Sequence, residues 1–191
     1  MNFKDRFDQK YTHTPEVFSG KPMPILEEAL KYIPNGKALD LGAGNGRNTI
    51  YLLSKSFEVT GVDASNEGIK ILGDRVPDKS NLNLIVSDAV EFETEEKFDL
   101  VFAIGLLHFL NTKDINTLIN KMKSWTKKGG LNVIATRMVQ NYRQDLPHVF
   151  KHNELKEFYQ NKDWKIIEYR EDTARRAKIA SLIARKKVAT D

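Results

Sequence analysis

The chain has 191 residues, 40% of them apolar and 29% charged, which is the size and make-up of one globular domain. It has no cysteine, and this excludes disulfides, thiolate nucleophiles, zinc knuckles and cysteine-held iron–sulfur clusters. A total of 30 Lys plus Arg against 26 Asp plus Glu leaves a net charge of +4, a bias that attracts anionic partners only weakly.

The opening MNFKDRFDQK lacks the apolar run of a signal peptide, and the most apolar stretch, LVFAIGLLHFL at 100–110, is too short to span a bilayer. A cytoplasmic protein without a membrane span is expected. From about residue 20, apolar runs alternate with helical patterns, as in the βα units of a parallel sheet. The pattern predicts a helix over 23–32, a strand over 37–41, a helix over 47–53, a strand over 58–62 and a helix over 66–75. Strands over 82–86 and 98–104 and a helix over 113–125 follow. KKGG at 127–130 is read as a turn that ends this helix on its glycines, before a strand over 131–136. The last third predicts a helix over 152–160, then strands over 165–171 and 178–186 joined closely enough to pair as an antiparallel hairpin. The expected fold is one α/β domain, a parallel sheet closed by that hairpin.

The stretch ALDLGAGNGRN at 38–48 carries the chemistry. Glycines at 42, 44 and 46 follow a strand and precede a helix, so backbone amides can approach a ligand closely. Their G-x-G-x-G spacing departs from the G-x-G-x-x-G of dinucleotide loops, and no G-K-[ST] follows as in a P-loop. Asp40, two residues before the first glycine, points to a ligand with a positive group, so a zwitterion bearing an ammonium fits better than a pyrophosphate. Asp63 ends the second strand, 21 residues after Gly42, where a carboxylate accepts both hydroxyls of a ribose. Asp88 ends the third strand, where it could accept from an adenine amine. One such aspartate could simply cap the next helix, but three on successive strands indicate a ligand.

LDLGAGNGRN, GVDAS, SDAVEF and FDLVFAIGLLHFL, in this order, resemble the successive motifs of class I S-adenosylmethionine-dependent methyltransferases. GNGRNTIYL, FKHNELKEFY and ASLIARKK narrow the resemblance to the small tellurite-resistance (TehB-like) methyltransferases, over about residues 22–187. Ala43 stands where a cysteine is common in that family. The resemblance implies a Rossmann-like, doubly wound seven-stranded sheet of order 3-2-1-4-5-7-6 with strand 7 antiparallel. It implies S-adenosylmethionine as cofactor and a domain over 22–191, preceded by an arm over 1–21 that folds over the cofactor as a lid. Asp40 and the loop of Gly42, Ala43, Gly44, Asn45 and Gly46 would line the methionine end, with Asn48 beside them. Asp63 would hold the ribose, Ala64 and Ser65 the adenosine, and Ser87, Asp88 and Ala89 the adenine, while Ile104 and Gly105 would pass the sulfonium. Arg47 reads equally as a surface charge or a ligand contact.

AIGLLHF after the fourth strand lacks the D/N-P-P-Y/F turn of amine methyltransferases, and the absence of cysteine removes the cytosine C5 route. The expected acceptor is a small molecule, and the resemblance to the TehB-like enzymes implies a soft chalcogen oxyanion or a thiol, with a carboxylic acid or hydroxyl metabolite as the alternative. His108 and Arg137 are the catalytic candidates on the acceptor side, and Tyr11, His13, Arg175 and Arg176 are substrate-side candidates. No metal site is expected, and the protein would work as a monomer or homodimer. Two rival readings remain: a nicotinamide-dependent oxidoreductase, and a nucleic-acid-binding module using Arg175, Arg176, Arg185, Lys186 and Lys187 as a phosphate patch. The glycine spacing and Asp40 disfavour the first, and no aromatic-interleaved basic face supports the second.

Overall fold

A computed structural model describes residues 3–18, 20–138, 146–174 and 177–188. Its seven strands are β1 (Gly36–Leu41), β2 (Phe57–Asp63), β3 (Leu82–Val86), β4 (Phe98–Ile104), β5 (Thr126–Arg137), β6 (Trp164–Ala174) and β7 (Ala177–Lys186). They form one sheet of order β3-β2-β1-β4-β5-β7-β6. β7 runs antiparallel to both β5 and β6, and the other pairings are parallel. The expected architecture is the one observed.

The helices are α1 (Phe3–His13), α2 (Pro24–Ala29), α3 (Arg47–Leu53), α4 (Asn66–Arg75), α5 (Thr112–Trp125) and the single turn α6 (Glu154–Glu157). Alternation along the strands divides the core between the two faces of the sheet. Ala38, Leu100 and Phe102 pack with Ile25, Leu26 and Ala29 of α2 and Leu52 of α3. Leu39, Leu41, Val101 and Ala103 pack on the other face against α5. α5 buries Ile115, Leu118, Ile119, Met122 and Trp125, a stripe at helical spacing. The Asn111 side chain starts that helix by accepting from Asp114 N at 3.0 Å.

Three local expectations are corrected. Residues 127–130 do not form a helix-ending turn but belong to β5, whose pairing with β4 jumps from Phe98↔Thr126 to Leu100↔Leu131. The extra residues bulge out, with Gly129 at φ +79°. The end of α5 needs no glycine cap, because Lys186 Nζ donates to Lys123 O and Thr126 O, both at 2.8 Å. The helix expected over 152–160 shrinks to α6, preceded by Asn153 at φ +62°. The arm over 1–21, for which the sequence pattern predicts no regular element, holds the 11-residue helix α1. No described helix is long and apolar enough to cross a membrane.

Candidate cofactor and acceptor site

The parallel strands end together where β1 and β4 lie side by side, the switch point at which crossovers diverge and a crevice opens. A cleft of about 1010 Å³ lies there, at the upper end of the range for small-molecule sites.

The glycine loop forms its floor. Gly42, Gly44 and Gly46 have φ of +81°, +55° and +94°, the left-handed region that favours glycine. Gly42 N and Ala43 N donate to Val62 O at 2.8 and 3.1 Å, tying the loop to the end of β2. Asp63 completes the tie, its two carboxylate oxygens accepting from Gly44 N and Ser65 N, each at 2.8 Å. Burial pushes the Asp63 carboxyl above its ordinary value; the Ser65 and Gly44 amides oppose the rise, and the Asp8 carboxylate adds to it. The Ser65 hydroxyl accepts from Gly68 N to start α4 and donates to Asp8 Oδ1 at 2.5 Å.

Asp40 does not line the cleft. It lies beneath the loop, 2% exposed, and accepts from Thr49 Oγ1 at 2.6 Å. Burial lifts its pKa to about 7; the Thr49 hydroxyl counters this, the Asp63 charge adds to it, and Arg47 counters it again. Gly46 also falls outside the lining, its left-handed turn serving as the start of α3. Ala43, Gly42, Gly44, Asn45, Asn48, Ala64, Ser65, Ser87, Asp88, Ala89, Ile104 and Gly105 all line the cleft. The Asn45 amide nevertheless turns away, donating to Pro15 O at 2.8 Å and to Val17 O. Asn48 Oδ1 accepts from Met23 N at 3.2 Å, and Asp88 Oδ1 accepts from Val90 N at 2.7 Å, so each aspartate or asparagine here also has a local structural bond.

On the acceptor side, His108 is buried in a single 3-10 turn (Leu107–Phe109), with Nδ1 3.4 Å from Thr136 Oγ1 and its ring against Phe109. Arg137 is exposed at the end of β5 and lines the cleft. Tyr11 lines it too, only 4% exposed, whereas His13 faces outward with Nδ1 2.7 Å from Gln9 O. Arg175 and Arg176 lie outside the described residues. Arg185 and Lys186, offered above as phosphate contacts, are tied to backbone carbonyls instead, Arg185 Nη2 donating to Tyr32 O at 3.2 Å. The nucleic-acid reading loses two of its cations in this way.

Sequence reasoning missed the wall contributed by α1 and the strap behind it: Lys4, Phe7, Lys10 and Phe18. The i, i+4 spacing of Phe7 and Tyr11 was the available signal. The sequence leaves Arg47 open between surface charge and ligand contact, and the structure turns it into the cleft lining with a buried Nε that has no hydrogen-bond partner among the described residues. Burial lowers its pKa, against the raising influence of Asp40 and Tyr11.

These features suit a zwitterionic nucleoside. The orphaned guanidinium edge of Arg47 can meet a carboxylate, and buried Asp40 below the loop favours a nearby ammonium. A Cβ built on Gly105 would have nothing within 4 Å, so the end of β4 leaves room for a ligand against the backbone. Residues 1–189 match the family model described as tellurite resistance protein TehB. The chain belongs to the TehB family. A TehB relative from Haemophilus influenzae, described as a probable S-adenosyl-L-methionine-dependent methyltransferase, is 32% identical over 96% of this chain and 67% of its own length. The crystal structure of TehB from that organism superposes with a TM-score of 0.76 at 30% identity, covering 96% of this chain and 67% of that one. The N-methyltransferase NodS from Bradyrhizobium japonicum, in complex with S-adenosylhomocysteine, shares the fold at a TM-score of 0.79 and 18% identity, covering 97% and 99% of the two chains. This TehB-family chain is an S-adenosylmethionine-dependent methyltransferase, which also removes the nicotinamide reading.

Proposed function

We propose that this enzyme methylates a small anionic acceptor through a soft, already ionised atom, a chalcogen oxyanion of the tellurite or selenite class or a thiolate. The observation that carries this reading is the presence of cations beside apolar side chains in the lining of the cleft. Arg137, Lys4 and Lys10 line it beside Phe7, Leu106, Phe109 and Leu110. The name of the family supports the same class of acceptor.

S-adenosylmethionine supplies an electrophilic methyl group on a sulfonium, so the reaction is an in-line displacement that needs alignment and a dry site more than proton transfer. In our reading Asp63 accepts the ribose hydroxyls and Asp88 the adenine amine. The Gly42–Gly44 backbone and Arg47 hold the amino acid end, with Asp40 biasing the charge from below. Ile104 and Gly105 leave the approach to the methyl group open, and the Phe7 and Phe109 rings, packed edge to face at 5.2 Å between centroids, exclude water. Arg137 orients the anion. His108 shapes the chamber and is not required as a base, because an ionised chalcogen carries its own lone pair.

The test offers tellurite, selenite, small thiols and small carboxylic acids in turn, measuring S-adenosylhomocysteine release and volatile methyl products in the headspace. Turnover to a methylated chalcogen oxyanion in solution, volatile only when a thiol reductant is added to the assay, or to a methylated thiol is expected, and Arg137→Ala should raise the acceptor KM several-fold while leaving the S-adenosylmethionine KM unchanged. Turnover confined to carboxylic acids or hydroxyl compounds would overturn the soft-acceptor reading and give His108 the role of base.

A further inference from the structure

The arm that walls the cleft is held at its far end by a residue outside the cleft. Arg75, the last residue of α4, donates from Nη1 to Asn45 O at 2.9 Å and from Nη2 to Pro15 O at 3.1 Å. Its Nη2 also lies 2.7 Å from Glu16 Oε1, a carboxylate whose side chain is 77% exposed. One planar guanidinium thus grips a carbonyl of the glycine loop and a carbonyl of the strap in fixed relative position, which a point charge could not do. Asn45, 1% exposed, repeats the tie from the loop side through its amide bonds to Pro15 O and Val17 O.

The tie leads into the cleft. A Cβ on Gly44 would lie 2.4 Å from Tyr11 Oη, so the arm's tyrosine rests directly on the loop. Midway along α1, Asp8 accepts from Ser65 Oγ and from Glu67 N, the latter at 3.3 Å. Removing Asp8 or Tyr11 would alter groups in or next to the cofactor cleft itself. Arg75 holds loop and arm together without lining it.

We propose that Arg75 is a positioning residue for the cofactor: by clamping Asn45 O and Pro15 O together it holds the arm on the glycine loop, and so sets how tightly the closed cleft retains its nucleoside ligand. This rests on the cofactor reading of the cleft. The experiment uses the full chain and S-adenosylhomocysteine as the probe, comparing wild type, Arg75→Met, Arg75→Lys and Glu16→Gln by calorimetry, circular dichroism and trypsin cleavage within the arm at Lys10. Arg75→Met should bind about tenfold more weakly, the loss expected for charge-assisted hydrogen bonds. Its arm should be cut faster, and the ligand should protect it less. Arg75→Lys should recover only part of the affinity, since an ammonium cannot span both carbonyls with the same geometry, and Glu16→Gln should bind as wild type does. A folded Arg75→Met with wild-type affinity would overturn the proposal. Should that variant fail to fold, Arg75→Lys decides: folded with weakened binding supports the clamp, and folded with full affinity and protection overturns it. Wild type that does not bind S-adenosylhomocysteine would overturn the cofactor reading of the cleft and the clamp with it, an outcome distinct from the loss of the clamp alone.

Discussion

The two ends of the sheet use charge in opposite ways. At the end away from the cleft, cations meet partners the chain itself supplies: Lys37 pairs with Glu96 and Glu58, Lys127 with Asp99, and Lys186 with the last carbonyls of α5. At the cleft end, Asp40, Asp63, Arg47 and Tyr11 are gathered in partial or complete burial, and Arg47 Nε among them has no hydrogen-bond partner among the described residues. An orphaned Nε is not enough to mark a site, because Arg185 has one too. The difference is that Arg185 donates through Nη2 and stacks 5.7 Å from the Tyr32 ring, whereas Arg47, with its Nε unpartnered among the described residues, lines a cavity. Charge that completes the fold is separated in this way from charge that awaits a ligand.

The largest test of that contrast is Asp63→Ala. It removes a carboxylate that both anchors the loop through Gly44 N and faces the cleft. S-adenosylhomocysteine affinity should fall by roughly 2 kcal/mol or more, read by calorimetry on a variant shown to be folded. Unchanged affinity would assign Asp63 to the loop alone.

A second test sharpens the role of Asp40 through pH. Its folded pKa of about 7 stands above the ordinary 3.8, so the folded protein holds this proton more tightly than the unfolded chain does. The stability contributed by this group is therefore full below about pH 4 and declines as pH rises toward about 7. An ammonium-bearing ligand favours the ionised form, so its affinity should rise with pH across the same window. Melting temperatures and S-adenosylhomocysteine affinities at pH 5.5 and pH 8 should show both trends in wild type and flatter ones in Asp40→Asn. Parallel profiles in the two proteins would remove Asp40 from the charge balance of the site.

The smallest effect on ligand binding is expected at the opposite end. Lys186→Met removes two charge-assisted bonds to helix-end carbonyls, which should lower stability by about 1–2 kcal/mol in a denaturant titration. Affinity for S-adenosylhomocysteine should stay within about twofold of wild type. A marked loss of affinity would show that the two ends are coupled through β5 and β7.

Most of the sheet was legible because apolar alternation and the strand–glycine–helix join are local signals. The strands at 82–86 and 98–104 and the helices at 47–53 and 66–75 coincide with their predicted bounds. What failed locally did so where a distant group intervened. Lys186 capped α5 from across the hairpin, which left Gly129 and Gly130 free to bulge within β5. α1 was missed because its helix depends on packing Phe7 against Phe109 and Tyr11 against the glycine loop, and only a two-residue i, i+4 signal preceded two prolines.

By itself the sequence determined the α/β class, the order of its elements, the absence of cysteine chemistry, and the glycine loop with an acid at the end of each of the first three strands. These follow from side-chain periodicity and from which residues tolerate a left-handed backbone, both properties of short segments. Only the tertiary structure decided that Asp40 lies under the loop rather than along the cleft, that the Asn45 amide faces the arm, that Arg47 Nε has no partner among the described residues, and that Arg75 joins segments 60 residues apart. Each is a choice among hydrogen-bond partners far apart in the chain, and burial settles it by making an unpaired polar group costly wherever a partner can be reached.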